Sequence, residues 1–337
     1  MQSIINLMKN SKVIPFVLFL VLVGFIAILS FRNTDNPIAN IIDTSVEGEF
    51  LGCYVSKLAK DTYVIKLENV SDGKVSGMLA FNNFEKDSSS GTFEGTYTDG
   101  ILLGEYVFNS EGMESNRQVI FKNEGDSFIQ GFGEVKSEGD KEVFVDLNNI
   151  TYEPSLNFIK NETCLEYFSD SYNSITFYHD PIFHVSRSTL TPTIDWKLNA
   201  KQTGVLIARL SIPKAFLPDT NFSNAYLTVG RSSDVNQIKN CLVADKNINE
   251  KSAGIVSIDG NDFTKFTFND AGAGNFSETT SYRGIHDGEC YVIEHTIRST
   301  NIDNYSADQG IKEFDKTIVQ KELENIIKSM VLLVNGD

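Results

Sequence analysis

The sequence predicts three consecutive parts: an N-terminal transmembrane helix, an all-β meander curling into a small barrel, and an α+β region with an antiparallel sheet and a C-terminal helix. Three observations predict this order. A charge-free apolar run lies near the N-terminus, period-two alternation punctuated by Asp-Gly pairs follows, and apolar residues at helical spacing close the chain.

Residues 13–31, VIPFVLFLVLVGFIAILSF, are nineteen residues without a charge. At about 1.5 Å per residue they extend roughly 28 Å, close to the thickness of a bilayer's hydrocarbon. Pro15 falls in the first turn, where a missing N–H costs little. Lys9 and Lys12 precede the run, Arg32 and Asp35 follow it, and the positive side is expected in the cytoplasm. The competing reading is a cleaved signal peptide. Its apolar stretch would be shorter, and the best small-x-small site, at 27–30, carries bulky Leu29. Residues 1–32 are therefore read as cytoplasmic stub and anchor, with the lipid bilayer as partner, residues 33–47 as a polar tether, and the rest as extracytoplasmic.

Beyond residue 32, 26 basic residues stand against 45 acidic ones. No basic stripe is present to neutralise phosphates, so nucleic acid is not an expected partner. Four cysteines, at 53, 164, 241 and 290, include no C-x-x-C, which argues against a zinc ribbon or a redox dithiol. Of the three connectivities, Cys241 with Cys290 is preferred because both fall in the last region.

Residues 48–148 read as the barrel. Tyr63, Ile65 and Leu67 alternate with Val64, Lys66 and Glu68, and Leu102, Gly104, Tyr106 and Phe108 continue the pattern. Asp72-Gly73 and Asp99-Gly100 are hairpin signals, since both central residues of a type I′ turn need φ > 0. Glycines inside strands, at 77, 95, 104, 131 and 133, argue for strong bending and a closed, lipocalin-like barrel. Phe81, Tyr97 and Tyr106 are candidates for lining a ligand cavity, the alternative being that they fill the interior.

Residues 149–337 read as α+β, with Pro154 ending any regular element and strands expected near 174–178, 193–198, 203–212, 224–230, 254–258, 262–269, 276–285 and 289–298. A two-residue Asp287-Gly288 turn sets a register in which His286 opposes Glu289 and Tyr282 opposes Ile293. Tyr282, Tyr291, Ile293 and Ile297 then share the core face. Arg283 and Glu294 share the other as an expected diagonal ion pair. Ile311, Phe314, Ile318, Leu323, Ile326 and Met330 mark an amphipathic helix, with Ser306 and Gln309 as its capping box.

Residues 77–108 and 266–297 resemble segments of uncharacterised exported bacterial proteins, lipoprotein or signal-anchored. The resemblance implies a small β-barrel domain followed by a PsbP-like α+β domain, and it brings no catalytic residue with it. This chain lacks the anchoring cysteine of the lipoprotein members.

Motifs for chemistry fail one by one. Gly230-Arg231-Ser232-Ser233 lacks the second glycine of a nucleophile elbow, and Ser71-Asp72-Gly73-Lys74 lies in a hairpin turn. Glu294-His295 has no second histidine at zincin spacing, and the Asp245, Asn247, Asn249 series lacks the glycine and glutamate of a calcium loop. No catalytic residue, metal site or cofactor is assigned. The small-residue loop 270–275, with Asp270 and Asn275 at its ends, is a candidate ligand loop, against the alternative of a plain hairpin connection. The expected function is non-enzymatic binding of a small ligand or envelope protein. A carboxylate-dependent envelope hydrolase and a structural or assembly role are the alternatives.

Overall fold

The computed structural model describes residues 48–83, 87–110, 113–173, 175–187 and 191–332. The apolar run 13–31 and the tether lie outside the described residues. Among those described, no helix is long and apolar enough to cross a membrane.

The chain is mostly β. Ten strands come first: β1 (Gly52–Leu58), β2 (Asp61–Ser71), β3 (Lys74–Asn82), β4 (Ser89–Thr98), β5 (Ile101–Ser110), β6 (Met113–Asn123), β7 (Ser127–Phe132), β8 (Val135–Glu138), β9 (Lys141–Phe144) and β10 (Thr151–Asn161). Strands β1 to β7 pair in sequence, and β10 bridges β7 back to β1, closing an eight-stranded antiparallel barrel. The β8–β9 hairpin hangs on β6 through a short parallel pairing. Asp72-Gly73 and Asp99-Gly100 take positive φ in the expected two-residue turns. Gly95 faces Gly104 across β4 and β5, and a Cβ on Gly104 would come within 2.6 Å of the Gly95 Cα. The two strands approach there only because both residues lack one.

The barrel therefore runs past the expected boundary at 148. Pro154 does not end regular structure. It sits in the closing strand, where the β10–β7 register shifts between Tyr152 and Asn157, a place where a missing N–H breaks no ladder bond. Cys53 of β1 is joined to Cys164, just beyond β10, so a disulfide spans the closing seam.

Three further strands, β11 (Glu166–Asp170), β12 (Ile175–His179) and β20 (Val331–Leu332), form a small sheet. The remaining seven are β13 (His184–Arg187), β14 (Val205–Ile212), β15 (Phe222–Ser232), β16 (Lys251–Ile258), β17 (Asn261–Gly272), β18 (Asn275–His286) and β19 (Glu289–Thr300). They make one antiparallel sheet in the order β13-β14-β15-β19-β18-β17-β16. The β18–β19 register is the expected one, from His286 opposite Glu289 to Thr280 opposite His295. Residues 193–198, expected as a strand, instead belong to a strap across this sheet. Gly284 makes room for the His286 ring, since a Cβ there would lie 2.6 Å from His286 Nε2.

One face of the seven-stranded sheet is apolar. Leu227, Val229, Tyr282, Ile293 and Ile297 meet Val319, Leu323, Ile326 and Ile327 of helix α2 (Lys316–Lys328); among the described residues the other α-helix, α1, is Val235–Asn240. The Ser306–Gln309 capping box is present, but it closes a single 3-10 turn that Gly310 ends at φ 68°, and α2 starts later on its cap Asp315. Ile318 consequently faces solvent. Val64, Met78 and Ala80, pointing outward from the barrel wall, join the same apolar cluster, and Lys66 Nζ of the wall meets Asp180 at 2.6 Å. The barrel and the α+β region belong to one compact unit.

Candidate functional site

The barrel interior is occupied by its own side chains. Phe93, Leu102, Phe121, Phe128 and Phe158 are fully buried in mutual contact. Tyr106 is buried with them, donating its hydroxyl hydrogen to Ser89 Oγ at 3.1 Å, and burial raises its pKa. Phe81 lies edge-on to Tyr106, and the Arg117 guanidinium sits 5.0–5.5 Å from the rings of Phe81, Tyr106 and Phe108. Tyr97 belongs to the opposite end. Phe81 opposes the first residue of β4, Ser89, so Tyr97 lies eight residues along, roughly 25 Å away. There it stacks on Phe50 and accepts a hydrogen bond from Asn123 Nδ2 at 2.8 Å. The structure thus brings Phe81 and Tyr106 together and separates Tyr97 from both.

Asp270 and Asn275 are exposed near the end of the β17–β18 hairpin. The turn between these strands is Ala273-Gly274, at φ 50° and 76°, held by the Asn301 amide on the Gly274 carbonyl at 2.8 Å. Cys241 and Cys290 are joined in a disulfide, and with Trp196 and Val292 they form a small buried cluster.

That cluster leads to the candidate site, on the sheet face opposite α2. Alternation along β19 places Cys290, Val292, Glu294, Thr296 and Arg298 on this face, apolar at one end and charged at the other. The strap 193–204 crosses it. Its two ends exchange backbone hydrogen bonds, Thr193 N–H to Gly204 O at 2.8 Å and Gly204 N–H to Thr193 O at 2.9 Å. Trp196, the chain's one tryptophan, is wholly buried and donates Nε1–H to Gln202 O at 3.0 Å. It docks against two glycines. A Cβ on Gly204 would lie 2.5 Å from the indole, and one on Gly230 would lie 2.4 Å from the Trp196 carbonyl.

Where the strap stops covering the sheet, a cleft of about 480 Å³ opens. Glu294 lines it and is only 3 % exposed. Its Oε1 accepts the Leu198 amide N–H at 2.7 Å; its Oε2 is buried with no partner in hydrogen-bond geometry, the Ser281 hydroxyl standing opposite on β18. Burial raises its pKa, against the pull of the Leu198 amide, the Ser281 hydroxyl and the charges of Arg283 and Lys197. The expected Arg283–Glu294 ion pair is not made. Arg283 instead gives both terminal nitrogens to Glu250, from the start of the β16 edge, and its Nε–H to Ser281 Oγ at 3.1 Å. This buried bidentate pair satisfies Arg283 and leaves Glu294 without a cation of its own.

The rim carries the opposite charge. Arg209 donates to the Asp195 carbonyl at 2.7 Å, Arg298 lies over the Tyr226 ring at 5.5 Å, and Lys197 lies 5.6 Å from the Trp196 ring. Burial, reinforced by Arg283, lowers the Lys197 pKa. The second acid lining the cleft, Asp195, is exposed. A hydrolase of the two-carboxylate type needs a pair of acids with displaced titration. Among the described residues this cleft holds one. No cluster of three or more histidine, cysteine, aspartate or glutamate side chains able to hold a metal ion is found among them.

A smaller pocket of about 250 Å³ lies between Asn82, Ser88, Ser89 and Ser90 of the barrel and His184 and Ser211 of the sheet. His184 Nδ1 is buried there without a partner, and burial lowers its pKa.

No protein-family model matches this sequence, and no curated protein is similar to it. The functional reading therefore rests on the geometry of the cleft. Sequence reasoning missed the cleft itself. Glu294 is visible in the sequence as an acid diagonal to Arg283, but its isolation depends on Glu250, which is more than thirty residues from Arg283 in the chain.

Proposed function

We propose that this chain is a non-enzymatic, membrane-anchored extracytoplasmic protein that binds a small ligand in the cleft beneath the 193–204 strap. One observation carries the reading: a buried carboxyl oxygen of Glu294, at the wall of a cavity of about 480 Å³, has no partner in hydrogen-bond geometry. A buried polar atom left unpaired costs about 1–3 kcal/mol, so a group that pairs with it is held there at an advantage. Concave sites with a few placed polar groups are the usual seats of small ligands. Two disulfides fit an oxidising compartment, in keeping with export on the 13–31 run.

Trp196 provides the readout. Full-length protein in detergent, titrated with succinate, glycerol phosphate, ethanolamine and glucose, is expected to show a saturable change in tryptophan fluorescence with at least one of them. The compound is expected to be recovered chemically unchanged. Turnover of the bound compound, or no saturable response to any of the four, overturns the reading. Protease added to intact spheroplasts is expected to remove residues 48–337, and protection of that region would refute the topology.

A further inference from the structure

We infer that the ligand of this cleft is a small organic oxyanion, a carboxylate or a phosphate, gripped at the rim by Arg209, Arg298 and Lys197 and met by a hydrogen bond donated from the Glu294 carboxyl group. The inference rests on the cleft being the binding seat.

Charge is the first ground. Residues beyond 32 carry far more acid than base, yet this cleft gathers three cations against one exposed acid, Asp195, and the buried Glu294. A cationic concavity on an acidic chain concentrates field where the rest of the surface repels anions. The cations also lack carboxylate partners, although Arg209 donates to Thr228 Oγ1 and to the Asp195 carbonyl. Arg209 and Arg298 make no ion pair with a described carboxylate, and Lys197 makes none either, whereas the neighbouring Arg283 is fully engaged with Glu250. Guanidinium groups present planar pairs of N–H donors that suit carboxylate and phosphate oxygens.

The second ground is the orphan oxygen. Glu294 Oε2 has no partner in hydrogen-bond geometry; the Ser281 hydroxyl, opposite it on β18, is the one chain group nearby that favours the ionised form by its hydrogen. A protonated Glu294 has an O–H to give, and an oxyanion is an acceptor. The groups around it are Lys197 and Asp195 from the strap, Arg209 from β14, Arg283 from β18, Arg298 from its own strand, and Glu250 beyond Arg283. Burial from all sides outweighs the cations among them, and the carboxyl holds its proton to higher pH than usual. An amine-bearing cation would meet three like charges at the rim, and a neutral sugar would leave those three cations unanswered.

The test follows Trp196 fluorescence of the full-length protein from the ordinary carboxylate range upward through neutral pH, with succinate and glycerol phosphate as oxyanions and ethanolamine and glucose as controls. One or both oxyanions are expected to bind, and their relative affinities assign the source. Affinity is expected to fall as pH rises, by up to about tenfold per unit, as one proton is lost from the bound form. Arg209→Gln is expected to weaken binding by about tenfold or more, the worth of one charge-assisted hydrogen bond. Glu294→Gln, which keeps a donor but cannot titrate, is expected to bind with less pH dependence than the wild type. The ligand's own titration is common to both proteins and drops out of that difference. Binding of ethanolamine or glucose in place of the oxyanions, abolished in Arg209→Gln, would leave the cleft as the seat and overturn the anion. Wild-type affinity that rises with pH relative to Glu294→Gln would show that Glu294 acts as an ionised acceptor and overturn the inference equally. If no probe gives a saturable response while circular dichroism shows the proteins folded, the inference and the binding reading fall together.

Discussion

The barrel interior and the polar face of the seven-stranded sheet are both built by side chains alternating along antiparallel strands, yet they end in opposite states. The barrel interior is filled mainly by aromatic and aliphatic side chains, because eight strands enclose a volume that rings can fill. The guanidinium among those rings, Arg117, keeps its Nε unpartnered but faces aromatic surface and no open cleft. On the sheet, one face is sealed by α2 and the barrel wall, while the other is crossed by a strap that covers only the end around Trp196 and the Cys241–Cys290 disulfide. Burial there outruns packing. Glu294 is nearly as inaccessible as the barrel's phenylalanines, yet its Oε2 has no partner in hydrogen-bond geometry. The difference teaches that inaccessibility alone does not locate a site. What locates it is inaccessibility without a partner, beside open space.

Four measurements break or sharpen this contrast. Phe121→Ala in the barrel is expected to cost about 3–5 kcal/mol in urea unfolding, as for a fully buried ring, while leaving ligand-induced Trp196 fluorescence unaltered. A changed cleft response would mean that the two regions are not independent. Arg283→Ala is expected to cost a comparable amount, about 3–5 kcal/mol, because it strands the Glu250 charge in the interior. A cost below about 1 kcal/mol would show that this face is wet and the pair a surface one.

The third measurement turns to His295, on the core face directly behind Glu294's strand, where burial lowers its pKa to about 4. The unfolded chain takes up that proton near pH 6.5 and the folded one only near 4, so the group's contribution to stability grows as pH rises between them. The total is on the order of 3 kcal/mol. Glu294 acts in the reverse sense. Its folded form holds the proton more tightly, so its contribution falls as pH rises. His295→Leu is expected to flatten the rising limb of unfolding free energy between pH 4 and 6.5, and equal slopes in both proteins would refute the assignment. Smallest is Gly204→Ala, expected to cost about 1–3 kcal/mol because its methyl would overlap the Trp196 indole. It should also red-shift the Trp196 emission; an unmoved emission would show the strap docking by other contacts.

Local signals made much of the fold legible. Asp72-Gly73, Asp99-Gly100 and Asp287-Gly288 each name a turn whose two residues take positive φ, and the β18–β19 register follows from the last of them alone. What stayed hidden depends on distant partners. Outward-facing Val64, Met78 and Ala80 lengthened the apolar runs of β2 and β3, but nothing nearby shows that a second layer covers them. Pro154 read as a terminator because its bulge exists only against β7. Residues 193–198 alternate like a strand, but only Thr193 pairs, with Gly204, before Ile194–Trp196 turn into a 3-10 helix. Arg283 chose Glu250 over Glu294 because the β16 end brings a carboxylate in bidentate geometry, a contact no period or turn encodes.

The closing seam between β1 and β10 has a consequence in time. A ribosome delivers the first seven staves in an order that lets each pair with the one before it. The outer edge of β1 and the free edge of β7 must then wait until residue 161 has emerged. Until that moment the unfinished chain shows two naked strand edges, the kind of surface that recruits other chains, and Cys53 stays a thiol with no mate. A fragment cut at 148 lacks the strand that covers both edges. The smallest piece that can shut itself is the one that carries Cys164.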